Sequence, residues 1–136
     1  MTTALAVLAV CGLSCWAILF FDLPRLLRPR RLAATRDRAG ALQRFQQSLP
    51  DYPPEMSEQA YRTLQRCVGI RDFPVETTDH LWTTLDLDQG TVAHELEEFR
   101  DAHGYAPCEI ASNPIETVHD YVDCLYRLSH REPVRR

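Results

Sequence analysis

The stretch LDLDQGTVAHELEEFRDAHG, residues 85–104, decides the reading of this chain. From Gln89 to His103 the apolar residues Val92, Leu96 and Phe99 recur at spacings of four and three, the period of one helix face. Gly104 follows, a residue that enters the left-handed conformation without a Cβ clash, which is a common way for a helix to stop. Glu95, Glu97 and Glu98 occupy the other faces. The segment therefore reads as an amphipathic helix with a stripe to bury and an acidic surface to display.

Such a stripe needs neighbours, and both flanks supply them. Downstream, Asn113, Pro114 and Glu116 predict an N-cap, a first-turn proline and the acid of a capping box. Ile115, Val118, Val122 and Leu125 give that helix its buried stripe, and a short helical turn is expected over Cys108–Ala111. Upstream, Met56, Ala60, Leu64 and Val68 recur every four residues, predicting a helix from Glu55 to Val68 that Gly69 ends. The connection from Ile70 to Asp88 is long for a compact domain, so it must be pinned by Phe73, Val75, Leu81, Trp82, Leu85 and Leu87. Phe73 and Trp82 are expected to plug the bundle, the other use of such rings being an exposed anchor for a partner. Together these pieces predict an all-α fold, a small antiparallel helical bundle over residues 55–131 with a tail at 132–136.

Further upstream, Leu49-Pro50-Asp51-Tyr52-Pro53-Pro54 reads as a stiff, extended linker. A basic helix is expected from Leu32 to Ser48, with Pro24 and Pro29 breaking the chain before it. Ala4–Phe21 is a run of 18 residues without a charge. As a helix it would span about 27 Å, close to the thickness of a bilayer core. Residues 1–22 are therefore read as a single transmembrane anchor and residues 23–54 as a basic juxtamembrane segment and linker. A cleaved signal peptide would begin with basic residues and place small ones before the cut, whereas this run ends in Phe20-Phe21-Asp22 and follows none. Arg25, Arg28, Arg30, Arg31, Arg36 and Arg38 follow the run, and no basic residue precedes it. The positive-inside tendency then places the C-terminal body in the cytoplasm. Arg25, Arg28, Arg30 and Arg31 are also candidates for contact with anionic headgroups, at about 1 kcal/mol each. A plain topology signal is their simpler use. Cys11 and Cys15 share a face of the run and read as apolar filler.

Charge divides the chain sharply. Residues 22–44 hold seven Arg and two Asp, a balance of +5, and residues 45–136 hold eight Arg and seventeen acids, a balance of −9. An acidic body argues against nucleic-acid binding, which needs cations to displace counterions from phosphates. Five Cys with no paired spacing do not form a disulfide framework, in keeping with a reducing compartment. No metal site is expected. His94, His103 and Cys108 are loosely grouped, and His119 and Cys124, five apart, point roughly 140° away from each other on a helix. His80 with Asp79, and His119 with Asp120, are neighbours in sequence only, so no nucleophile, base and orienting acid are identified. The five glycines are scattered and form no phosphate loop. No catalytic residue and no cofactor are expected.

The order of these pieces resembles the acyl carrier protein superfamily over residues 57–127. Val68-Gly69-Ile70 stands where that family ends its first helix in a Leu-Gly-Val-like triplet. Val75, Leu81 and Leu85-Asp86-Leu87-Asp88-Gln89 fall, without a gap, on the family's loop and its Leu-Gly-x-Asp-Ser attachment motif. Leu96-Glu97-Glu98-Phe99 resembles the family's Leu-Glu-Glu-x-Phe. Pro107 and Ile115-Glu116-Thr117-Val118, followed by Tyr121, are similar to its later elements. Two departures matter. Gln89 replaces the serine that carries phosphopantetheine, and an amide cannot form that phosphodiester. The second helix is also about one turn short of the family's pattern, which argues against a deep acyl pocket. Thr91 has a hydroxyl two residues on, but not in the turn where the modification is made.

What the resemblance leaves is a surface. Carrier proteins present an acidic second helix to basic patches on their partners, and Asp86, Asp88, Glu95, Glu97, Glu98 and Asp101 are the residues placed to do so here. The expectation is a membrane-anchored, non-catalytic module that docks on a protein with a basic patch, in acyl or lipid metabolism. The alternatives are a working carrier modified at an unusual position and a structural subunit of a membrane complex.

Overall fold

The computed structural model describes residue 16 and residues 23–105 and 114–130. They form five helices: α1 (Leu23–Thr35), α2 (Ala41–Gln47), α3 (Pro54–Val68), α4 (Gln89–His103) and α5 (Val118–Ser129). Among the described residues there is no strand, and one antiparallel bridge joins His80 to Thr117. No helix among them is long and apolar enough to cross a membrane. The run Ala4–Phe21, expected to do so, lies outside the described residues apart from Trp16, as do Cys108–Ala111, Asn113 and the 132–136 tail.

Helices α3 and α4 form where the apolar period places them, and α5 follows it from Val118, with Ile115 of the expected stripe left outside the helix. Ala60 and Leu64 of α3, Val92, Leu96 and Phe99 of α4, and Val118, Val122 and Leu125 of α5 are buried in one cluster. Each large apolar side chain so removed from water contributes about 1.5–3 kcal/mol. α5 packs on both α3 and α4. Gly69 and Gly104 end α3 and α4 at φ of 70° and 67°, the left-handed cap that a Cβ would strain. The long 70–88 connection runs through the core, with Phe73, Val75, Leu81, Leu85 and Leu87 buried and Trp82 half-buried against them. Its polar backbone is satisfied by α5's approach: Leu81 N–H donates to Glu116 O at 2.8 Å, Val118 N–H to Asp79 O at 2.9 Å, and His119 N–H to Thr77 O at 3.1 Å.

Those bonds also move the start of the last helix. Pro114–Glu116 are not helical, and α5 begins at Val118, four residues after the expected position. Its cap is Thr117, whose hydroxyl accepts from Asp120 N–H at 3.2 Å while the Asp120 carboxylate accepts from Thr117 N–H at 2.9 Å. The capping box therefore pairs Thr117 with Asp120, because Glu116 is drawn into the bridge beside Leu81.

The N-terminal part differs most from expectation. Pro24 and Pro29 do not break the chain: Pro24 lies in the first turn of α1, where the missing N–H is harmless, and Pro29 sits inside the helix. Pro29 is buried against the body, as is Ala33, and this packing offsets the lost helical bond. The basic helix expected over residues 32–48 is two helices, because α1 ends at Thr35 and the chain turns through Gly40 before α2. Phe45 of α2 meets Tyr61 edge-on at 5.1 Å. Residues 49–54 form a folded corner, not an extended linker. Leu49 is buried, and the Tyr52 ring lies edge-on to Tyr126 at 5.3 Å and His119 at 5.9 Å. Residues 33–49 thus share the core of the bundle.

Candidate functional site

The acidic helix α4 is built from its cap outward. Asp88 accepts from the Thr91 N–H at 2.8 Å and from the Thr91 hydroxyl at 3.0 Å. Those two bonds hold its carboxyl below the usual carboxylate range. Asp88 is therefore the N-cap of α4, and the Thr91 hydroxyl is its partner. Gln89 is the exposed first residue of the helix. Asp86, half-buried, turns the chain just before it with φ at 56°, a conformation that Asp tolerates better than most residues.

The six acids singled out from the sequence do not form one surface. Glu95 faces α3: its side chain is only 15% exposed and accepts from Arg66 Nη2 at 2.6 Å. The neighbouring Cys67 thiol is pushed up to about 11, by burial first and by Glu95 second, which keeps it protonated and unreactive. Glu97, Glu98 and Asp101 are exposed and, with His94, occupy positions i, i+3, i+4 and i+7 of one helical row. Within the row His94 Nε2 lies 3.6 Å from Glu98 Oε1, and Asp101 accepts from the adjacent Arg100 at 2.8 Å. The displayed acidic surface is therefore Glu97, Glu98 and Asp101. Asp88 and Glu95 are committed to the fold.

A second feature, between the end of α1 and the 70–88 connection, had no sequence signal. Arg36, just beyond α1, donates to both carboxylate oxygens of Asp79, Nη1 to Oδ2 at 2.7 Å and Nη2 to Oδ1 at 2.6 Å. Asp79 is 3% exposed and Arg36 17%. Arg36 also donates to Pro74 O at 3.1 Å, and Glu76 N–H donates to Asp79 at 2.9 Å. The pair locks the end of α1 to the loop that carries α5's backbone bonds. Nearer the start of α1, Arg28 donates to Thr83 O. A cleft of about 410 Å³ lies between α1, the end of α3 and the 85–87 turn; Leu27, Arg30, Val68, Ile70, Asp86 and Leu87 line it. Of the candidate lipid contacts, Arg30 and Arg31 are exposed, Arg28 is tied to Thr83, and the Arg25 side chain lies outside the described residues.

His103, His119 and Asp79 go to structural partners. His103 Nδ1 lies 2.8 Å from Phe99 O, and its ring joins those of Phe99 and Tyr105 in a three-ring cluster, 4.4 and 5.4 Å from them, with Phe99 and Tyr105 5.9 Å apart. His119 packs on Tyr52. Asp79, neighbour of His80 in sequence, belongs to Arg36, while His80 Nδ1 accepts weakly from Thr83 N–H at 3.4 Å. Among the described residues no three His, Cys, Asp or Glu are grouped to hold a metal; Cys108 lies outside them. Comparison with known proteins returns no match: no family model, no curated protein and no solved structure is similar to this chain.

Proposed function

We propose that the chain is a membrane-anchored, non-catalytic module of acyl-carrier-like design that docks a partner's basic patch onto helix α4 at the cytoplasmic face. The observation that carries the reading is the exposed row Glu97, Glu98 and Asp101, which holds three carboxylates on one helix face. Complementary charge of this kind steers and orients encounters more than it adds raw affinity. Anchoring through residues 4–21 would raise the effective concentration near membrane partners without any new contact. A pathway of acyl or lipid metabolism follows from the resemblance alone.

The test is Glu97→Arg together with Glu98→Arg in the full-length chain. Both side chains are exposed, so stability should change by less than about 0.5 kcal/mol. Recovery of the native partner should be lost. Unchanged recovery from a folded variant overturns the assignment. Glu95 is unsuitable for this test because its side chain is only 15% exposed and is held on α3, so replacing it would perturb packing as well as charge. The intact mass of protein from native membranes is expected to show no added group. A phosphopantetheine-sized increment would make the chain a working carrier instead.

A further inference from the structure

The cleft of about 410 Å³ between α1, the end of α3 and the 85–87 turn differs in kind between its walls and its rim. Leu27, Pro29, Val68, Ile70 and Leu87 supply apolar wall. Pro29 and Leu87 are buried, whereas Leu27, Val68 and Ile70 stay half-buried around the open space. Apolar side chains that face a gap forgo contacts on that side, and an apolar group placed there restores them. At roughly 30 Å³ for a water-sized group, the space takes on the order of ten heavy atoms. Its walls are held in advance, because Pro29 and Ala33 are buried and Arg36 grips Asp79 through two bonds. Filling a preformed cleft incurs little ordering cost.

The rim sets the sign of the ligand's charge. Arg30 lines the cleft, is exposed, and meets no acceptor among the described residues. Other arginines of this region are committed: Arg28 gives to Thr83 O, Arg36 to Asp79, and Arg44 to Ala39 O and Asp37 O. Asp86, the second charged residue on the cleft, is half-buried and already engaged. Cys67 is held protonated by burial and adds no charge. The group at the cleft with donors to give is therefore a guanidinium, whose planar fork matches a carboxylate. We infer that the cleft binds a small carboxylate with a compact apolar body, the body against Val68, Ile70 and Leu87 and the carboxylate on Arg30. The α4 row takes no part in this site, so the inference and the docking reading stand or fall separately.

The test is a methyl NMR titration of the full-length chain in phosphatidylcholine nanodiscs at about pH 7, where carboxylates are ionised. The probes are 3-phenylpropanoate and hexanoate. Saturable shifts are expected at the methyls of Val68, Ile70 and Leu87, with those of Leu125, in the core, unmoved. 3-Phenylpropanol keeps the apolar body without the charge and should bind about tenfold more weakly than its acid. Arg30→Gln changes an exposed side chain and should leave the fold intact. It should weaken 3-phenylpropanoate about tenfold and leave the alcohol within about twofold. The combined Glu97→Arg and Glu98→Arg variant should bind the carboxylate like wild type. No saturable shift at the cleft with either carboxylate overturns the inference. So does an alcohol that binds wild-type protein as tightly as the acid, a comparison that needs no variant. Carboxylate affinity unchanged in Arg30→Gln overturns it as well.

Discussion

Removing one side of the Arg36–Asp79 pair should uncouple α1 from the body. Arg36→Ala leaves a carboxylate that is 3% exposed with one remaining bond, from Glu76 N–H at 2.9 Å. Breaking a buried pair from one side costs about 3–5 kcal/mol, because the surviving charge is stranded. Arg36 itself is 17% exposed and Asp79 keeps that backbone donor, so the lower end, about 3 kcal/mol, is expected here. The place to read it is amide exchange at Leu81, Val118 and His119, whose N–H groups bond across the loop that Asp79 organises. At 1.4 kcal/mol per decade, exchange by local opening should accelerate about 100-fold. Adding Asp79→Asn to Arg36→Ala removes the stranded charge and should recover more than about 1 kcal/mol of the loss, the non-additivity of a directly coupled pair. Arg36→Lys should not restore the wild-type rate, because an ammonium cannot make the two parallel bonds. Exchange within about threefold of wild type in Arg36→Ala would refute the view that this pair holds α1 in place.

Other expectations follow from single contacts. Phe45→Ala should destabilise by about 3–5 kcal/mol in urea titration, since the ring is buried against Tyr61, and a chain beginning at residue 55 should lose cooperative unfolding for the same reason. Thr117→Ala removes the α5 cap and should cost about 1 kcal/mol. Burial raises the Asp120 carboxyl, but the Thr117 N–H, the Thr117 hydroxyl and the Glu116 N–H outweigh it and hold the group below its ordinary value. A depressed folded pKa gives stability that is present above about pH 4, the unfolded value, and is lost as pH falls through the folded one. Asp120→Asn should therefore flatten the fall in urea midpoint as the pH drops below about 4. An unchanged acid slope would count against that bonding. Gly69→Ala should cost about 1–2 kcal/mol through its left-handed φ of 70°, although its Cβ would meet no atom within 4 Å.

The local pattern determined a good deal by itself. Val92, Leu96 and Phe99 place α4 correctly from Gln89 to His103, and Ala60 and Leu64 place α3 to within a residue, because a helix period needs only neighbours three and four apart. The apolar residues of the 70–88 connection are pinned, as a loop of that length in a compact domain requires. What failed at this level depended on partners distant in the chain. Pro29 reads as a breaker until the body that buries it is known, and Leu49 reads as part of a linker until it is seen in the core. Asn113 with Glu116 reads as the capping box until the bridge from His80 and the bond from Leu81 are known, which move the cap to Thr117. The acids of α4 illustrate the same limit. Composition places six carboxylates near the helix, but only the packing of α3 withdraws Glu95 onto Arg66, and only the turn geometry turns Asp88 into a cap. Arg36 and Asp79, 43 residues apart, carry no local mark at all. A sequence records propensities over one or two turns of chain, whereas the pairing of buried charges is decided when distant segments close on each other and water is excluded between them.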